Sequence, residues 1–292
     1  MSKKVLYHNQ PKRLFTFGCS FTHYMWGTWA NALGQELDCE FVNFGRSGAG
    51  NHFIFNMLMQ ADAVYDFTHE DLVIVQWTNV CREDRYVPQD PNGPWMTPGN
   101  IYSQKQYREE FVRDYFSEYG AYVRDLAFIK AGHEMLKHKT QYHFLQMCDI
   151  LDQTDQWTGA KRDKNHRLDD MMKYYGPSLN ELLPSFYQTL FNNNIETKFK
   201  RDKKLITKNF QDGHPSPMEH YLFLKDTFKH EWKDSTDRAV EEAQNKWIKL
   251  LKDASELSKD FHLFKMKQRW LDMFYYETNI KPDDKPDPII HF

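Results

Sequence analysis

Two short segments far apart in the chain carry the residue types needed for nucleophilic catalysis. Ser20 follows a short apolar run that favours a β-strand and ends at Gly18. His214 lies in the sequence Asp-Gly-His-Pro, with Asp212 two residues before it. A serine hydroxyl becomes an effective nucleophile when a base accepts its proton, and an acid can orient that base. These residue types predict a nucleophile, a base and an acid.

A small-residue loop and an asparagine follow two other predicted strands. Gly45-Arg-Ser-Gly-Ala-Gly50 comes after the strand Glu40–Phe44, and Asn79 comes just after the apolar strand Asp71–Trp77. The loop could instead hold a phosphate, but its Gly-x-x-Gly-x-Gly spacing fits neither the dinucleotide fingerprint nor a P-loop. Backbone N–H groups in such loops and a neutral side-chain amide can both stabilise a negative oxygen.

The elements that must position these residues alternate between strand and helix. Three strand signals precede residue 80, and helical spacing of apolar residues follows the first two. The predicted elements are strands 13–18, 40–44 and 71–77 and helices 24–37 and 53–65. Three such units predict an α/β fold with a doubly wound, flavodoxin-like parallel sheet. We expect the helix after Ser20 to point its positive dipole end at the site.

The second half of the chain is less regular. We predict a loop and helix insertion around residues 83–140, a fourth strand at 141–148 and a helix over 171–191 that is interrupted by Gly-Pro and Pro184. A helix is predicted from Met218 to Lys229, and another from Thr236 to Tyr276. We divide the chain into an α/β domain, residues 1–233, a C-terminal helical extension, 234–280, and an extended or disordered tail, 281–292.

The separated segments resemble the four sequence blocks of the SGNH (GDSL-like) hydrolase superfamily. Gly-Cys-Ser20 is similar to its first block, Gly48 to the glycine of the second, Asn79 to the asparagine of the third, and Asp212-Gly-His214 to the last. The resemblance covers about the first 80 residues continuously and then one short motif. It implies an SGNH-like fold.

The resemblance also implies a role for each matched residue. Ser20 would attack an ester carbonyl, and His214 would remove its proton with Asp212 as the acid. The backbone N–H groups of Ser20 and Gly48 and the Asn79 amide would form the oxyanion hole. Three positions depart from the family pattern: Cys19 replaces an aspartate, Trp77 replaces a glycine, and Gln211 stands where the acid usually lies.

Three further side chains are candidates for substrate binding. Arg82 and Arg85 follow Asn79 in a loop that should lie over the crevice, where they could clamp an anionic group or form surface ion pairs. Trp77 could stack on a sugar ring or pack the insertion against the core.

Composition limits the classes of partner. The 292 residues carry a formal net charge of −3, so a basic surface for nucleic acid is not expected. The four cysteines form no CxxC pair, and no histidine cluster has metal-ligand spacing, so we expect no metal and no cofactor. The N-terminus lacks the apolar run of a signal peptide and no segment has the length of a membrane span, which favours a cytoplasmic protein without membrane contact.

Together these features predict a serine esterase that hydrolyses a small acyl ester, such as an O-acetylated carbohydrate, through an acyl-enzyme on Ser20. An acyltransferase on the same scaffold, a non-catalytic glycan-binding protein on a decayed hydrolase fold and a helix-rich interaction protein are the alternatives. The C-terminal helices could also join copies of the chain into a homo-oligomer.

Overall fold

The computed structural model describes residues 3–87, 94–102, 107–150, 166–192 and 214–257. Its strands are β1 (Lys4–Val5), β2 (Arg13–Phe17), β3 (Glu40–Asn43), β4 (Asp71–Trp77), β5 (Arg85–Tyr86), β6 (Trp95–Met96), β7 (Gln141–Gln146), β8 (Leu182–Ser185) and β9 (Phe228–Lys229). Five of them form a parallel sheet in the order β3-β2-β4-β7-β8. Counted along the chain this is the order 2-1-3-4-5 of a flavodoxin-like doubly wound sheet, so the predicted fold class is confirmed.

Two groups of helices accompany the sheet. The helices are α1 (Trp29–Leu37), α2 (Asn51–Tyr65), α3 (Glu109–Tyr115), α4 (Glu118–Leu136), α5 (His166–Leu179), α6 (Phe186–Asn192), α7 (Pro217–Thr227) and α8 (Asp234–Leu257). Helix α4 packs against α2 and α5, whereas α7 packs against α1, α6 and α8. These groups are the two helical layers of the fold. Within the described residues, no helix is long and apolar enough to cross a membrane.

Strand β4 lies at the centre of the core. All seven of its residues are buried, as expected for a strand covered on both faces of a parallel sheet. Its first residue, Asp71, is paired with Arg13 at the start of β2, with Nε and Nη2 at 2.7 and 2.8 Å from the two carboxylate oxygens. This two-point contact fixes the register of the two strands from which Ser20 and Asn79 follow.

The structure corrects the sequence prediction between residues 171 and 191. This stretch was expected to be helical, but it contains β8, which adds a fifth strand to the sheet beside β7. Pro184 lies inside β8 and supplies no N–H for a ladder. The strand tolerates it because β8 is at the edge of the sheet.

The first helix begins later than its apolar spacing predicts. Thr28 is its N-cap and forms a capping box with Asn31, so α1 begins at Trp29 and not near Tyr24. Immediately after Ser20 the chain makes one tight turn instead, with Thr22 and His23 donating to the carbonyl of Cys19. The expected helix dipole directly behind Ser20 is therefore replaced by a turn and a loop.

In the described residues, the insertion and the C-terminal region contain both strands and helices. Between β4 and β7 the chain forms the two-stranded antiparallel pair β5 and β6, then α3 and α4. Helix α8 docks on the α/β unit, where Trp247 packs on Trp26 and Gln244 accepts a hydrogen bond from the backbone N–H of Met218. The remainder of the predicted extension, residues 258–280, and the tail at 281–292 lie outside the described residues.

A buried histidine should make the stability of the fold depend on pH. His143 on β7 is enclosed, and its Nε2 lies 2.6 Å from the carbonyl oxygen of Leu6. Burial lowers the pKa of His143 to about 4, and the Leu6 contact opposes this only partly. Because the unfolded chain binds the proton near pH 6.5 and the folded chain does not, stability should be lost as the pH falls from about 6.5 to about 4.

We expect His143→Gln to reduce this acid sensitivity by up to about 3 kcal/mol. The measurement is the free energy of unfolding from urea titrations at several pH values. His69→Gln, at an exposed position, is the matched control and should retain the wild-type pH dependence. Parallel pH profiles for wild type and His143→Gln would contradict the assignment.

Candidate active site

Ser20 lies in the turn that follows β2. The residue is only 4% exposed, and its turn is held by the two hydrogen bonds to the Cys19 carbonyl. Gly18 permits this turn because a Cβ at that position would lie 2.0 Å from the hydroxyl oxygen of Thr22. The strand and the turn therefore hold the Ser20 backbone at the carboxyl edge of the sheet, where open α/β folds bind ligands.

The side chains of Ser20 and His214 meet in the folded chain. The Nε2 atom of His214 lies 2.8 Å from Ser20 Oγ, although the residues are 194 positions apart. A hydrogen bond of this length is the geometry in which a neutral imidazole accepts the serine proton. The pairing predicted from the sequence is thus present as a contact.

Aromatic residues from the loop between Ser20 and α1 hold the imidazole. Tyr24 is stacked on His214, with ring centroids 3.8 Å apart and an interplanar angle of 17°. Phe21 meets the same ring edge to face at 5.6 Å. Trp26 donates its indole N–H to the carbonyl oxygen of Pro215 over 2.7 Å, which anchors the backbone next to His214. The histidine thus has a fixed ring plane and a fixed backbone.

A second histidine lies behind the first. His220 on α7 is fully buried between Phe21 and Phe186. Burial lowers its pKa well below the usual value, and the charge of His214 lowers it further. His220 is therefore neutral at physiological pH, so it places no permanent positive charge against the His214 ring. Such a charge would oppose proton transfer from Ser20.

The expected acid, Asp212, lies outside the described residues, as does Gln211. In the described part of the site, His214 contacts Ser20. The residues that hold the ring there are the aromatic ones, and the assignment of Asp212 as the orienting acid stays a prediction.

Gly48 lies in a conformation that only glycine adopts readily. Its φ angle is +79°, and a Cβ at this position would lie 2.1 Å from the carbonyl oxygen of Thr97. The Thr97 hydroxyl also donates to the carbonyl of Ser47 over 3.0 Å. The segment after β6 therefore packs over the glycine loop and leaves no room for a side chain at position 48.

The side-chain amide of Asn79 has a fixed orientation. Its Oδ1 accepts a hydrogen bond of 2.7 Å from the backbone N–H of Cys81. The side chain also forms a hydrogen bond with Cys148, whose pKa burial raises to about 12. Because the amide oxygen accepts from the backbone, its position is fixed, and the donors of the Asn79 side chain are the two hydrogens on Nδ2.

Asn51 fastens the loop after β4 to the start of α2. It accepts from the backbone N–H of Thr78 at 2.8 Å and donates to the Thr78 carbonyl at 2.9 Å. Its amide also donates to Asp125 on α4 over 2.7 Å. Burial raises the pKa of Asp125, while Arg124 and Asn51 oppose the rise. Thr78 precedes Asn79, so this contact fixes one oxyanion-hole candidate relative to α2.

Asp84 makes the second connection between the same two segments. Its carboxylate accepts from the backbone N–H groups of Gly50 and Phe53, at 2.9 Å in each case, and therefore caps α2 from another loop. Burial raises the pKa of Asp84, and these two backbone hydrogen bonds oppose the rise. The connection sets the distance between the glycine loop and the loop that carries Asn79.

The three candidates for substrate binding have different surroundings. Trp77 is fully buried and packs edge to face on Phe144, so its ring is a core element with no face open to a substrate. Arg85 pairs with Glu83 at 2.9 Å and lies over the ring of Phe111. Arg82 points to the carbonyl oxygen of Ala49, with its Nη1 at 2.8 Å. Of the three, Arg82 alone touches the glycine loop.

Sequence reasoning missed four residues that shape the site: Tyr24, Trp26, Asn51 and Asp84. Tyr24 and Trp26 were assigned to a helix, although Thr28 and Asn31 have the spacing of a capping box and mark a later start. Asn51 and Asp84 act through contacts between segments that are distant in sequence, and no local pattern reports such contacts.

The site has no metal-binding constellation in the part of the chain that the structure describes. There, no group of three or more His, Cys, Asp or Glu side chains could hold a metal ion. His133 contacts the hydroxyl of Tyr142 at 2.6 Å, and His143 contacts Leu6, so these two histidines have other partners.

No protein-family model and no curated protein sequence matches the chain. Solved structures similar to the chain include proteins of the G-D-S-L family. A lipolytic protein of the G-D-S-L family from Veillonella parvula is 11% identical, with 73% of this chain and 94% of that chain covered and a TM-score of 0.39. A putative lipolytic protein of the same family from Desulfitobacterium hafniense is 15% identical, with 73% and 96% covered and a TM-score of 0.39.

A GDSL-like lipase from Bacteroides thetaiotaomicron is 13% identical, with 81% of this chain and 93% of that chain covered and a TM-score of 0.38. At such low identities and TM-scores, these similarities carry no argument about activity.

Removing the Asp84 carboxylate should destabilise the protein. Asp84→Ala leaves the buried N–H groups of Gly50 and Phe53 without their acceptor, so we expect the free energy of unfolding to fall by about 2 to 4 kcal/mol. Urea denaturation measures the loss. Asp66→Asn, in which the replaced side chain is 90% exposed, is the control and should change stability by no more than about 0.5 kcal/mol. An unchanged urea midpoint for Asp84→Ala would show that this connection carries no stability.

Proposed function

We propose that the chain is a serine hydrolase that cleaves small acyl esters through an acyl-enzyme on Ser20. The contact between His214 Nε2 and Ser20 Oγ, 2.8 Å at the carboxyl edge of the sheet, is the observation that carries this proposal. A histidine at hydrogen-bond distance from an otherwise unactivated serine is what nucleophilic catalysis needs. Tyr24 and the anchored Pro215 backbone support it by restricting the ring.

In the proposed first step, Ser20 Oγ attacks the ester carbonyl carbon while its proton passes to His214 Nε2. The carbonyl oxygen becomes an oxyanion. We assign its stabilisation to the backbone N–H groups of Ser20 and Gly48 and to the Nδ2 group of Asn79. Asn79 suits this role because its amide oxygen is occupied by Cys81, and because Nδ2 has two hydrogens, so one remains for an oxyanion while the other bonds Cys148.

In the second half of the proposed reaction, the tetrahedral intermediate collapses and the bond to the alcohol oxygen breaks. His214 gives its proton to the departing alcohol, which leaves an acyl ester on Ser20. A water molecule then attacks this ester and loses a proton to His214. The second collapse releases a carboxylic acid, and Ser20 recovers its proton. We assign Asp212 to stabilising the imidazolium in both halves.

We propose a short acyl group, such as acetyl, and a carbohydrate as the alcohol. Ser20 is 4% exposed, which favours an acyl chain that needs little space. Tyr86 and Tyr102 are 41% and 46% exposed, and they lie on the insertion that packs over the glycine loop. Exposed aromatic rings can stack on sugar rings.

Hydrolysis of aryl acetates and acetylated sugars by the purified protein tests the proposal. We expect Ser20→Ala and His214→Gln each to lower kcat by at least about 10³-fold, because each removes one half of the proton transfer. His69→Gln, an exposed histidine, is the matched control for loss of an imidazole. Wild-type hydrolysis rates in a folded Ser20→Ala protein would overturn the proposed function.

A further inference from the structure

Arg82 spans two of the loops that form the candidate active site. Its Nη1 donates to the carbonyl oxygen of Ala49 over 2.8 Å, directly after Gly48. Its Nη2 lies 3.4 Å from the thioether sulfur of Met147, at the end of β7. The same sulfur is 3.6 Å from the sulfur of Cys19, the neighbour of Ser20. The guanidinium group therefore contacts the glycine loop directly and is connected to the serine turn through the Met147 sulfur.

The electrostatic influence of Arg82 is consistent with this placement. Burial raises the pKa of Cys148 to about 12, and the positive charge of Arg82 opposes the rise. The same charge opposes a rise in the pKa of Tyr187, which burial causes. Cys148 also bonds Asn79, so the field of Arg82 reaches the side chains around the predicted oxyanion hole.

The Arg82 guanidinium has more N–H donors than it has acceptors among the described residues. Arginine carries five N–H groups, and a thioether is only a weak acceptor. Among the residues that the structure describes, no Asp or Glu forms an ion pair with Arg82, and its one strong acceptor is a neutral carbonyl. The nearby Asp84 has its carboxylate engaged by two backbone N–H groups. Burial raises the pKa of Asp84 and the charge of Arg82 opposes the rise, but no carboxylate among the described residues lies at ion-pair distance from the guanidinium. A half-buried cation in this setting favours an anionic ligand.

Arg85 provides an internal comparison. It belongs to the same loop, but its guanidinium pairs with Glu83 at 2.9 Å and its side chain is 49% exposed. Glu83 also binds Arg124 at 2.6 Å. Arg85 therefore has a carboxylate partner within the protein, whereas Arg82 has none at ion-pair distance among the described residues.

We propose that Arg82 binds a carboxylate of the substrate, so that the preferred substrates are esters that carry a carboxylate close to the scissile bond. This inference rests on the proposed serine hydrolase function. The planar fork of arginine matches a carboxylate in two-point contact. The carboxylate can belong to the acyl part, as in a half-ester of a dicarboxylic acid, or to the alcohol part, as in an acetylated sugar acid.

Two pairs of aryl esters separate charge from shape and the acyl source from the alcohol source. Mono(4-nitrophenyl) adipate and 4-nitrophenyl hexanoate have acyl chains of equal length and differ in the carboxylate. 3-Acetoxybenzoate and 3-acetoxybenzamide share the acetyl group and differ in the charge of the alcohol part. The measurement is the ratio of kcat/KM within each pair. Because both esters of a pair are assayed on one preparation, partial misfolding of a variant cancels from the ratio.

We expect the wild type to prefer the carboxylate ester in at least one pair, and the pair that responds identifies the source of the carboxylate. Arg82→Gln should lower that preference by about tenfold or more, and Arg82→Lys should retain part of it. Arg85→Gln removes the same charge from the same loop and should leave the ratio unchanged.

Two results would overturn the inference. One is an Arg82→Gln variant that lowers kcat/KM equally for both members of both pairs, which would make Arg82 a clamp for the Ala49 carbonyl only. The other is a wild type that hydrolyses the neutral esters and prefers them in both pairs. Absence of hydrolysis for all four esters, together with no reaction of Ser20 with a serine-directed reagent, would instead be a failure of the proposed function.

Discussion

The arrangement of the site depends on the hydrogen bonds that join the start of α2 to the loop after β4. Gly48 and Asn79 lie on separate loops, and neither loop has regular structure of its own to fix it. Asn51 binds both backbone polar groups of Thr78, and the Asp84 carboxylate accepts from the first N–H groups of α2. These contacts are buried, so water does not compete for them, and they hold the two loops at one separation.

His214 precedes α7 and therefore belongs to the helical layer that does not contain α2. The bonding of Trp26 to the Pro215 backbone and the stacking of Tyr24 on the imidazole connect the loop after Ser20 with the start of α7. Helix α8 adds Trp247 behind Trp26. The C-terminal helix thus packs against the residues that hold His214. Ser20 and Asn79 depend on the sheet, whereas His214 depends on helix packing.

Local sequence patterns were sufficient to predict four strands of the sheet. The four strand signals were predicted because apolar runs carry that information, and Ser20 and His214 were identified by their short polar motifs and the resemblance that those motifs carry, whereas the tight turn directly after Ser20 was not predicted. Strand β8 was missed because Pro184 and its short length hide an edge strand within a stretch of helical composition. The Asn51 and Asp84 connections and the surroundings of Arg82 arise from long-range packing, which leaves no periodic signal.

A fluorophosphonate reagent tests whether His214 makes Ser20 a nucleophile, because the reagent reacts covalently with activated serines. The measurement is the mass of the intact protein after reaction, with the modified residue located by fragmentation. We expect one adduct, on Ser20, that is absent in Ser20→Ala and forms much more slowly in His214→Gln. Folded wild-type protein that forms no adduct, while a known serine hydrolase in the same mixture does, would contradict it.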